Sequence, residues 1–314
     1  MTARAAAIAP GGIGNIGPGL DVLGMAVSGP GDRVIAERVL GRGVTIADAG
    51  HPELPTAADR NTAGIAAMQV LSFAGAENVG VSLTVIKGLP LSGGQGGSAA
   101  SAVAGAVAVN RLLGNPLDPM TLLACALEAE ATVSGRHADN LAPAMFGGIS
   151  LIRSVAPLEV IALPVPAALR IVMAHPNQRL RTADARAALP QSIDRALVIA
   201  QMANVAAMVS GFWTGDLQMI GRGLEDQIAE PARAPLLPGF IAAKTAAMEA
   251  GALGGSISGA GPTSFYFATN DLSAQRVAHA VRDAYAALGI ACDTRVAHVA
   301  THGAIGLSED STSV

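Results

Sequence analysis

The stretch Pro90-Leu-Ser-Gly-Gly-Gln-Gly-Gly-Ser-Ala-Ala-Ser101 carries the strongest structural signal in this chain. It follows Val81–Ile86, whose alternating β-branched residues predict a strand, and leads into Ser98–Leu113, an alanine-rich segment that predicts a helix. A strand, a flexible loop and a helix N-terminus direct several backbone N–H groups and the positive end of a helix dipole at one point. The four glycines within Gly93–Gly97 exceed what a turn needs, so we favour an anion-binding loop over a plain turn capped by Ser98.

A second glycine-rich segment, Gly11–Asp21, matches the G-x-G-x-x-G pattern of dinucleotide-binding folds from Gly12 to Gly17. Pro18 follows at once and disfavours the helix that such a turn must open, so an oxidoreductase is a minor alternative. Asn15 and Asp21 either close a turn or face a substrate amine. Neither glycine-rich loop is of the Walker A type, because the Gly-Lys-Ser/Thr ending occurs nowhere in the chain.

A third glycine-rich segment, Ser256–Ser264, joins two predicted strands through Gly259-Ala-Gly-Pro. It is either an ordinary β-turn or a loop that closes over a bound phosphate or substrate.

Acidic and polar residues cluster between the second and third glycine segments. Glu128 and Glu130 are two residues apart on a predicted helix, so at most one of them faces a given site. A hard cation such as Mg²⁺ would take one carboxylate together with nucleotide oxygens and water. His137, Asp139 and Asn140 form a short polar loop that alternatively serves only to end the helix. Paired-histidine zinc signatures are missing from the sequence.

Composition predicts a folded, alanine-rich protein of two domains. The 314 residues are 51% hydrophobic and only 3% aromatic, so the core must be built from Ala, Val, Ile and Leu. Three prolines within Val155–Pro166 place the expected domain boundary near residue 158. No run reaches about 18 residues of membrane-spanning strength, and we expect no membrane partner and no signal peptide.

Charge and cysteine content exclude further classes. The net charge of −4 and the presence of only two lysines, without a basic stripe, argue against nucleic-acid binding. The two cysteines, Cys125 and Cys292, are too few for a disulfide scaffold and favour a reducing cytoplasmic location.

The three glycine segments, taken in order, resemble the motifs of the GHMP small-molecule kinases, most closely of the members that phosphorylate homoserine. Asn15-Ile-Gly-Pro-Gly-Leu-Asp21-Val-Leu-Gly is similar to the opening N-x-G-P-G-F-D-x-L-G, and Pro90–Ser101 to the phosphate loop P-x3-G-L-G-S-S-A. Ser258–Thr263 resembles the C-terminal glycine motif, and Gly135–Pro143 the H-x-D-N-x-A-P segment. The likeness covers nearly the whole chain.

The resemblance implies a two-domain α+β fold. A ribosomal protein S5 domain 2-like nucleotide-binding domain would occupy residues 1–158, and a ferredoxin-like α/β domain residues 159–314. The implied reaction transfers the γ-phosphoryl group of ATP to the side-chain hydroxyl of L-homoserine, giving O-phospho-L-homoserine for threonine biosynthesis. ATP and Mg²⁺ are the implied cofactors, the small-molecule substrate is the implied partner, and a homodimer is an open expectation.

The resemblance also assigns roles residue by residue. The residues that match nucleotide-binding positions are Asn61, Lys87, Pro90, Gly93, Gly94, Gln95, Gly96, Gly97, Ser98 and Ser101. Those that match positions around the amino acid are Asn15, Asp21, His137, Asp139, Asn140, Arg186, Arg233 and Gly259. Ser98 and Glu130 match the Mg²⁺ ligands and, with Asn140, are the expected catalytic residues. Asp21 suits an ammonium group, whereas Arg186 and Arg233 suit a carboxylate.

This chain departs from the family pattern inside the phosphate loop. Gln95 replaces the usual Leu, Gly97 replaces the first Ser, and Leu20 replaces the Phe of the opening motif. Two alternatives within the class therefore stay open, namely a GHMP kinase that acts on another alcohol and a silent relative that only binds nucleotide.

Overall fold

The computed structural model describes residues 3–133 and 135–308, and within them a seven-stranded sheet organises the first half of the chain. Its strands are β1 (Arg4–Gly14), β2 (Leu23–Val39), β3 (Gly43–Asp48), β4 (Gly80–Ile86), β5 (Ile149–Val155), β6 (Leu158–Leu163) and, from the far end of the chain, β11 (Ile305–Leu307). The order is β11-β1-β2-β4-β3, and β5 pairs with both β2 and β6. β3 runs parallel to β4, and the other pairs are antiparallel.

Four helices accompany this sheet, namely α1 (Thr62–Phe73), α2 (Gly97–Leu112), α3 (Pro119–Val133) and α4 (Leu141–Phe146). The small side chains of α2 let it approach α1 closely, since a Cβ on Gly105 would lie 2.9 Å from the carbonyl oxygen of Ala63. The core between helices and sheet is correspondingly built from Ala, Val and Leu, as the composition predicts.

A four-stranded antiparallel sheet forms the second half. Its strands are β7 (Arg170–Pro176), β8 (Gly254–Ile257), β9 (Ser264–Ala268) and β10 (Cys292–Ala297), in the order β10-β7-β9-β8. The helices are α5 (Thr182–Ala187), α6 (Arg195–Thr214), α7 (Leu217–Gly223), α8 (Ala229–Arg233), α9 (Phe240–Glu249) and α10 (Asp271–Ala286). One apolar cluster joins Ile13 and Met25 of the first sheet to Ile171 and Phe265 of the second, so the two halves share part of their core.

Several strands differ from the expectations. Gly11–Gly14, expected in a loop, belongs to β1, and Val155–Pro166, expected to be a connection, contains β6. No helix follows the G-x-G-x-x-G match, because Pro18 lies in a turn and β2 begins at Leu23, which rules out a dinucleotide-binding turn. The domain boundary near residue 158 stays a prediction. Strand β6, which begins at that residue, still pairs with β5 of the first sheet.

One described helix, α6, is long and apolar enough to cross a membrane by length and composition alone. Its mean hydropathy is 1.5, and 22% of its most apolar window is buried. The expectation that no run has this strength overlooked α6, but a single such helix does not distinguish a membrane span from a helix on the surface of a globular protein. The expectation of no membrane partner therefore stays a prediction.

Candidate active site

A cavity of about 400 Å³ lies where the three glycine segments meet. It is lined from the first half of the chain by the glycine loop before α2, by α3 and by the polar loop before α4. From the second half, α5, α8 and the turn between β8 and β9 contribute. Every expected site residue except Gln95 lines it, namely Asn15, Asp21, Asn61, Lys87, Pro90, Gly93, Gly94, Gly96, Gly97, Ser98, Ser101, Glu130, His137, Asp139, Asn140, Arg186, Arg233 and Gly259.

The glycine loop ends in a left-handed turn at the start of α2. Gly94 and Gly96 have φ angles of +73° and +69°, a region that other residues rarely adopt. Gly96 is the N-cap of α2 and provides no side-chain hydrogen bond to the first turn. The first N–H groups of the helix are therefore available to a ligand, as the anion-site interpretation requires.

A buried ion pair lies directly beneath this loop. Lys87 forms an ion pair with Asp32, which is fully buried in β2, and also donates to the carbonyl oxygen of Gly97 at 3.1 Å. Ser101 donates to the same carboxylate at 2.6 Å, and the N–H groups of Gly88 and Leu89 donate to its other oxygen. Lys87 is thus tied to the start of α2 as well as lining the cavity. Asp32 was not predicted as a site residue, because it lies inside a strand and outside every motif.

Glu130 and Ser98 face each other in the cavity, with the Ser98 hydroxyl 3.2 Å from the Glu130 carboxylate. Glu128 points elsewhere and pairs with Arg136 on the surface, which confirms that only one of the two acids faces the site. Among the described residues, no group of three or more His, Cys, Asp or Glu side chains is placed to hold a metal ion. One hydroxyl and one carboxylate fit a Mg²⁺ ion that takes its remaining ligands from nucleotide phosphates and water.

Asn61 has a structural role at the edge of the cavity. Its side-chain oxygen accepts hydrogen bonds from the N–H groups of Ala63 and Gly64 at the start of α1, and its amide donates to the carbonyl oxygen of Pro55 at 2.9 Å. Asn61 therefore lines the cavity and also connects Pro55 to the start of α1 by its hydrogen bonds.

Opposite charges also meet in the lining of the cavity. Arg186 donates two hydrogen bonds to Asp21, at 3.1 and 3.2 Å, across 165 residues of sequence. His137 Nδ1 lies 3.3 Å from the same carboxylate, and hydrogen bonding with Asp21 raises the pKa of Arg186. The Nε atom of Arg186 is buried and finds no hydrogen-bond partner among the described residues.

Asp139 is a buried carboxyl in the lining of the cavity. Burial is the largest cause that raises its pKa to about 7, and the charges of Asp21 and Glu130 act in the same direction. Asp139 accepts the backbone N–H of Asn15 at 3.0 Å. The side-chain oxygen of Asn140 is buried there without a hydrogen-bond partner in the described chain.

Arg233, on α8, is a buried residue that lines the cavity. It is only 3% exposed and donates to the carbonyl oxygens of Ala185 and Gly259, at 3.1 and 3.0 Å. Asn15 donates to the same Gly259 oxygen at 3.1 Å. Burial, and then the charge of Arg186, lower the pKa of Arg233 from its ordinary value. Two guanidinium groups therefore lie near one another in the cavity.

Gln95 departs from its expected place. Its side chain is buried and donates to Thr263 Oγ1 at 3.4 Å instead of lining the cavity. Thr263 and its neighbour His175 were not singled out as individual site residues, although Thr263 belongs to the third glycine motif. The replacement of Leu by Gln in the loop was the available signal for this contact.

The fold and the site together define a small-molecule kinase of the GHMP class, and comparison with known proteins agrees. Residues 61–148 match the GHMP kinases N terminal domain and residues 202–287 the GHMP kinases C terminal domain. The chain belongs to the GHMP kinase family, whose members use ATP.

Within that family the chain belongs to the homoserine kinases. It is 43% identical to homoserine kinase from Chlorobium phaeobacteroides strain BS1, covering 88% of this chain and 90% of that one. It is 43% identical to the Arabidopsis thaliana enzyme, covering 90% of this chain and 78% of that one. The crystal structure of homoserine kinase from Cytophaga hutchinsonii superposes with a TM-score of 0.94 at 41% identity, covering 98% of both chains.

Proposed function

We propose that this protein transfers the γ-phosphoryl group of ATP to the side-chain hydroxyl of L-homoserine, with Mg²⁺. The observation that carries the proposal is one cavity with two kinds of lining. A glycine loop at a helix N-terminus lines one part of it, and paired carboxylate and guanidinium groups line another.

The paired charges fit the two ionic groups of an amino acid. Asp21 and Arg186 neutralise each other in this structure, through an ion pair whose side chains are about a third exposed. An α-ammonium group beside Asp21 and an α-carboxylate beside Arg186 and Arg233 would replace that pair with two new ones. A neutral sugar or a simple carboxylic acid satisfies at most one half of this arrangement, which favours a zwitterionic substrate.

The part of the cavity lined by the glycine loop fits a triphosphate. The N–H groups at the start of α2 and the dipole of this 16-residue helix would stabilise phosphate oxygens. Ser98 and Glu130 would hold Mg²⁺, which when bound neutralises charge on the β- and γ-phosphates. The transition state of phosphoryl transfer is loose, so positioning and charge neutralisation by these groups do most of the work.

Asn140 would orient the hydroxyl that accepts the phosphoryl group. A Cβ on Gly96 would lie 2.8 Å from Asn140 Oδ1, so the amide packs directly against the glycine loop. That oxygen is buried and lacks a donor among the described residues, which is costly unless a ligand supplies one. The substrate hydroxyl would donate to it and so direct a lone pair toward the nucleotide.

The test is ADP release with ATP and Mg²⁺ over a panel containing L-homoserine, D-homoserine, mevalonate and galactose. We expect L-homoserine to be phosphorylated at least about 100-fold more efficiently than the others, because each lacks or misplaces a charged group. Preference for mevalonate or galactose would instead favour the alternative of a GHMP kinase with another alcohol substrate. ATP binding without any product would identify a silent relative.

We also propose that the protein pairs as a homodimer through α6. Its outer face is mostly apolar, with Ile199 60% exposed and Met202 64% exposed, and the exposed Arg195 in its first turn is the one charged residue of the helix. A two-fold axis brings a patch against its own copy, so the apolar surface around Ile199 and Met202 would be buried against itself. We expect Ile199→Glu to halve the mass in sedimentation at micromolar concentration, whereas Leu272→Glu, at an exposed position on α10, leaves it unchanged. A monomeric wild type would refute this pairing.

A cytoplasmic location is proposed from the cysteines. Cys125 and Cys292 are both free, and burial raises the pKa of each thiol to about 12. Unpaired thiols suit a reducing compartment. Fractionation of the host cell with an antibody to this protein tests the assignment, and recovery in the membrane fraction would contradict it.

A further inference from the structure

The glycine loop is held by its carbonyl oxygens. Three consecutive oxygens in the loop accept hydrogen bonds from donors that do not line the cavity. The bonds run from Thr263 Oγ1 to Gly93 O, from Ser258 Oγ to Gly94 O at 2.7 Å, and from Gly12 N to Gln95 O at 3.1 Å. Two of the three donors lie in the second half of the chain, so part of the loop's conformation depends on the other half of the molecule.

These bonds also orient the amide N–H groups of the loop. A trans peptide is planar, with its C=O and the following N–H pointing in opposite directions. Tying three successive oxygens to the surrounding protein therefore turns the N–H groups of Gly94, Gln95 and Gly96 the other way. None of these three N–H groups has an acceptor within the described part of the chain. Successive amides turned to one side form a concave anion site.

Thr263 is the centre of the hydrogen bonds that hold the loop. It is fully buried, and its hydroxyl has a single hydrogen, which it donates to Gly93 O. The hydroxyl oxygen must then accept both remaining bonds. One comes from the Gln95 amide at 3.4 Å and the other from His175 Nδ1 at 2.9 Å. His175 consequently carries its hydrogen on Nδ1.

We propose that Thr263 is a positioning residue for the nucleotide phosphates, and that His175 and Gln95 orient its hydroxyl. The hydroxyl, together with a longer bond of 3.3 Å from the Thr263 N–H, holds the Gly93 oxygen and so aims the Gly94 N–H at the phosphate site. Gln95 and His175 fix the Thr263 hydroxyl by occupying its two lone pairs. This inference rests on the proposed function, because it names residues that hold the ATP end of the same cavity.

The arrangement gives a role to one departure from the family pattern. A Leu at position 95 has no donor to offer Thr263, whereas the Gln amide reaches across 168 residues of sequence to it. Gln95 therefore strengthens a contact between the two halves of the chain instead of disabling the loop, and it does so without entering the cavity.

The experiment compares Thr263→Val, which removes only the hydroxyl, with Thr263→Ser, which keeps it. Affinities of ADP and of adenosine are measured by competition against ATP, in the presence of Mg²⁺, together with KM for homoserine. We expect Thr263→Val to weaken ADP about tenfold, equivalent to about 1.4 kcal/mol, while adenosine affinity and KM for homoserine change less than about twofold. Thr263→Ser should restore ADP affinity to within about threefold of wild type.

Gln95→Leu tests the support of the hydroxyl without touching it. Alone it should weaken ADP by about two- to threefold, and added to Thr263→Val it should have no further effect, because both changes act through the same oxygen. Equal losses for ADP and adenosine, or wild-type ADP affinity in Thr263→Val, would overturn this inference alone. Failure of the wild type to bind ADP at all would overturn the proposed function as well. If Thr263→Val does not fold, unchanged ADP affinity in both Gln95→Leu and His175→Gln overturns the proposed support.

Discussion

Replacing Asp139 with Asn removes a carboxyl whose charge the fold disfavours. The side chain is only 3% exposed, and burial together with the charges of Asp21 and Glu130 raises its pKa to about 7. The Asn side chain keeps an oxygen that can accept the backbone N–H of Asn15. We therefore expect Asp139→Asn to stabilise the unliganded protein relative to the wild type at pH values above 3.8, where the carboxyl of the unfolded chain is ionised.

The magnitude follows from the two pKa values. The Asp139 carboxyl ionises near 3.8 in the unfolded chain and near 7 in the folded protein. Between these values the folded protein holds one more proton, so its stability falls by about 1.4 kcal/mol per pH unit as pH rises. The stabilisation that comes from this proton is complete at pH values below the pKa of the unfolded chain. It is lost at pH values above the pKa of the folded protein. From pH 5 to pH 7 the advantage of the variant should thus grow by about 2–3 kcal/mol.

Urea unfolding of both proteins at pH 5, 6, 7 and 8, without substrate, measures this difference. Asp118→Asn is the matched control, because hydrogen bonds from Thr121 lower the pKa of Asp118. Both states of that carboxyl are ionised over this pH range, so the control difference should be flat. A flat difference for Asp139→Asn as well would show that this carboxyl is not held against its charge, and the electrostatic account of the site would be wrong.

Four further substitutions test separate parts of the site. Glu130→Gln should lower kcat by about 100-fold and raise the Mg²⁺ concentration needed for half activity, and an unchanged Mg²⁺ titration would remove Glu130 from the metal. Arg186→Met should raise KM for homoserine by between about 10-fold and about 150-fold with KM for ATP unchanged, which steady-state kinetics would check. Lys87→Met leaves the Asp32 carboxylate buried and unpaired, so urea unfolding should show a loss of about 3–5 kcal/mol, smaller when Asp32→Asn is added. Gly96→Ala should cost about 1–2 kcal/mol of unfolding free energy, because φ is +69° there, and an unchanged melting temperature would contradict it.

Much of the local structure was predictable from the sequence. The strand Val81–Ile86, the glycine loop and the helix that follows are contiguous, and each is specified by short-range patterns of β-branched residues, glycine and alanine. The end of β1 was harder to predict, because a run of glycines is typical of a loop. Gly12 is nevertheless required in that strand, since a Cβ there would lie 2.6 Å from the carbonyl oxygen of Met25 on β2.

The residue types of the site were also predictable, because motifs preserve them. The contacts that these residues make were not predictable from the sequence. Asn15 bonds to Gly259 across 244 residues, and Asp21 to Arg186 across 165, and no local pattern sets such distances. Only the packing of the two sheets through their shared apolar cluster brings these positions together.

The side-chain direction of Gln95 shows which features the sequence determines and which depend on the tertiary structure. The sequence by itself determined that a glycine loop precedes a helix and that its amides suit an anion, because backbone conformation there depends on neighbours in the chain. Only the tertiary structure decided that position 95 turns inward to Thr263 and that Asp32 holds Lys87 beneath the loop. A polar side chain inside a protein takes its direction from the partners that compensate its lost hydration, and those partners come from distant segments.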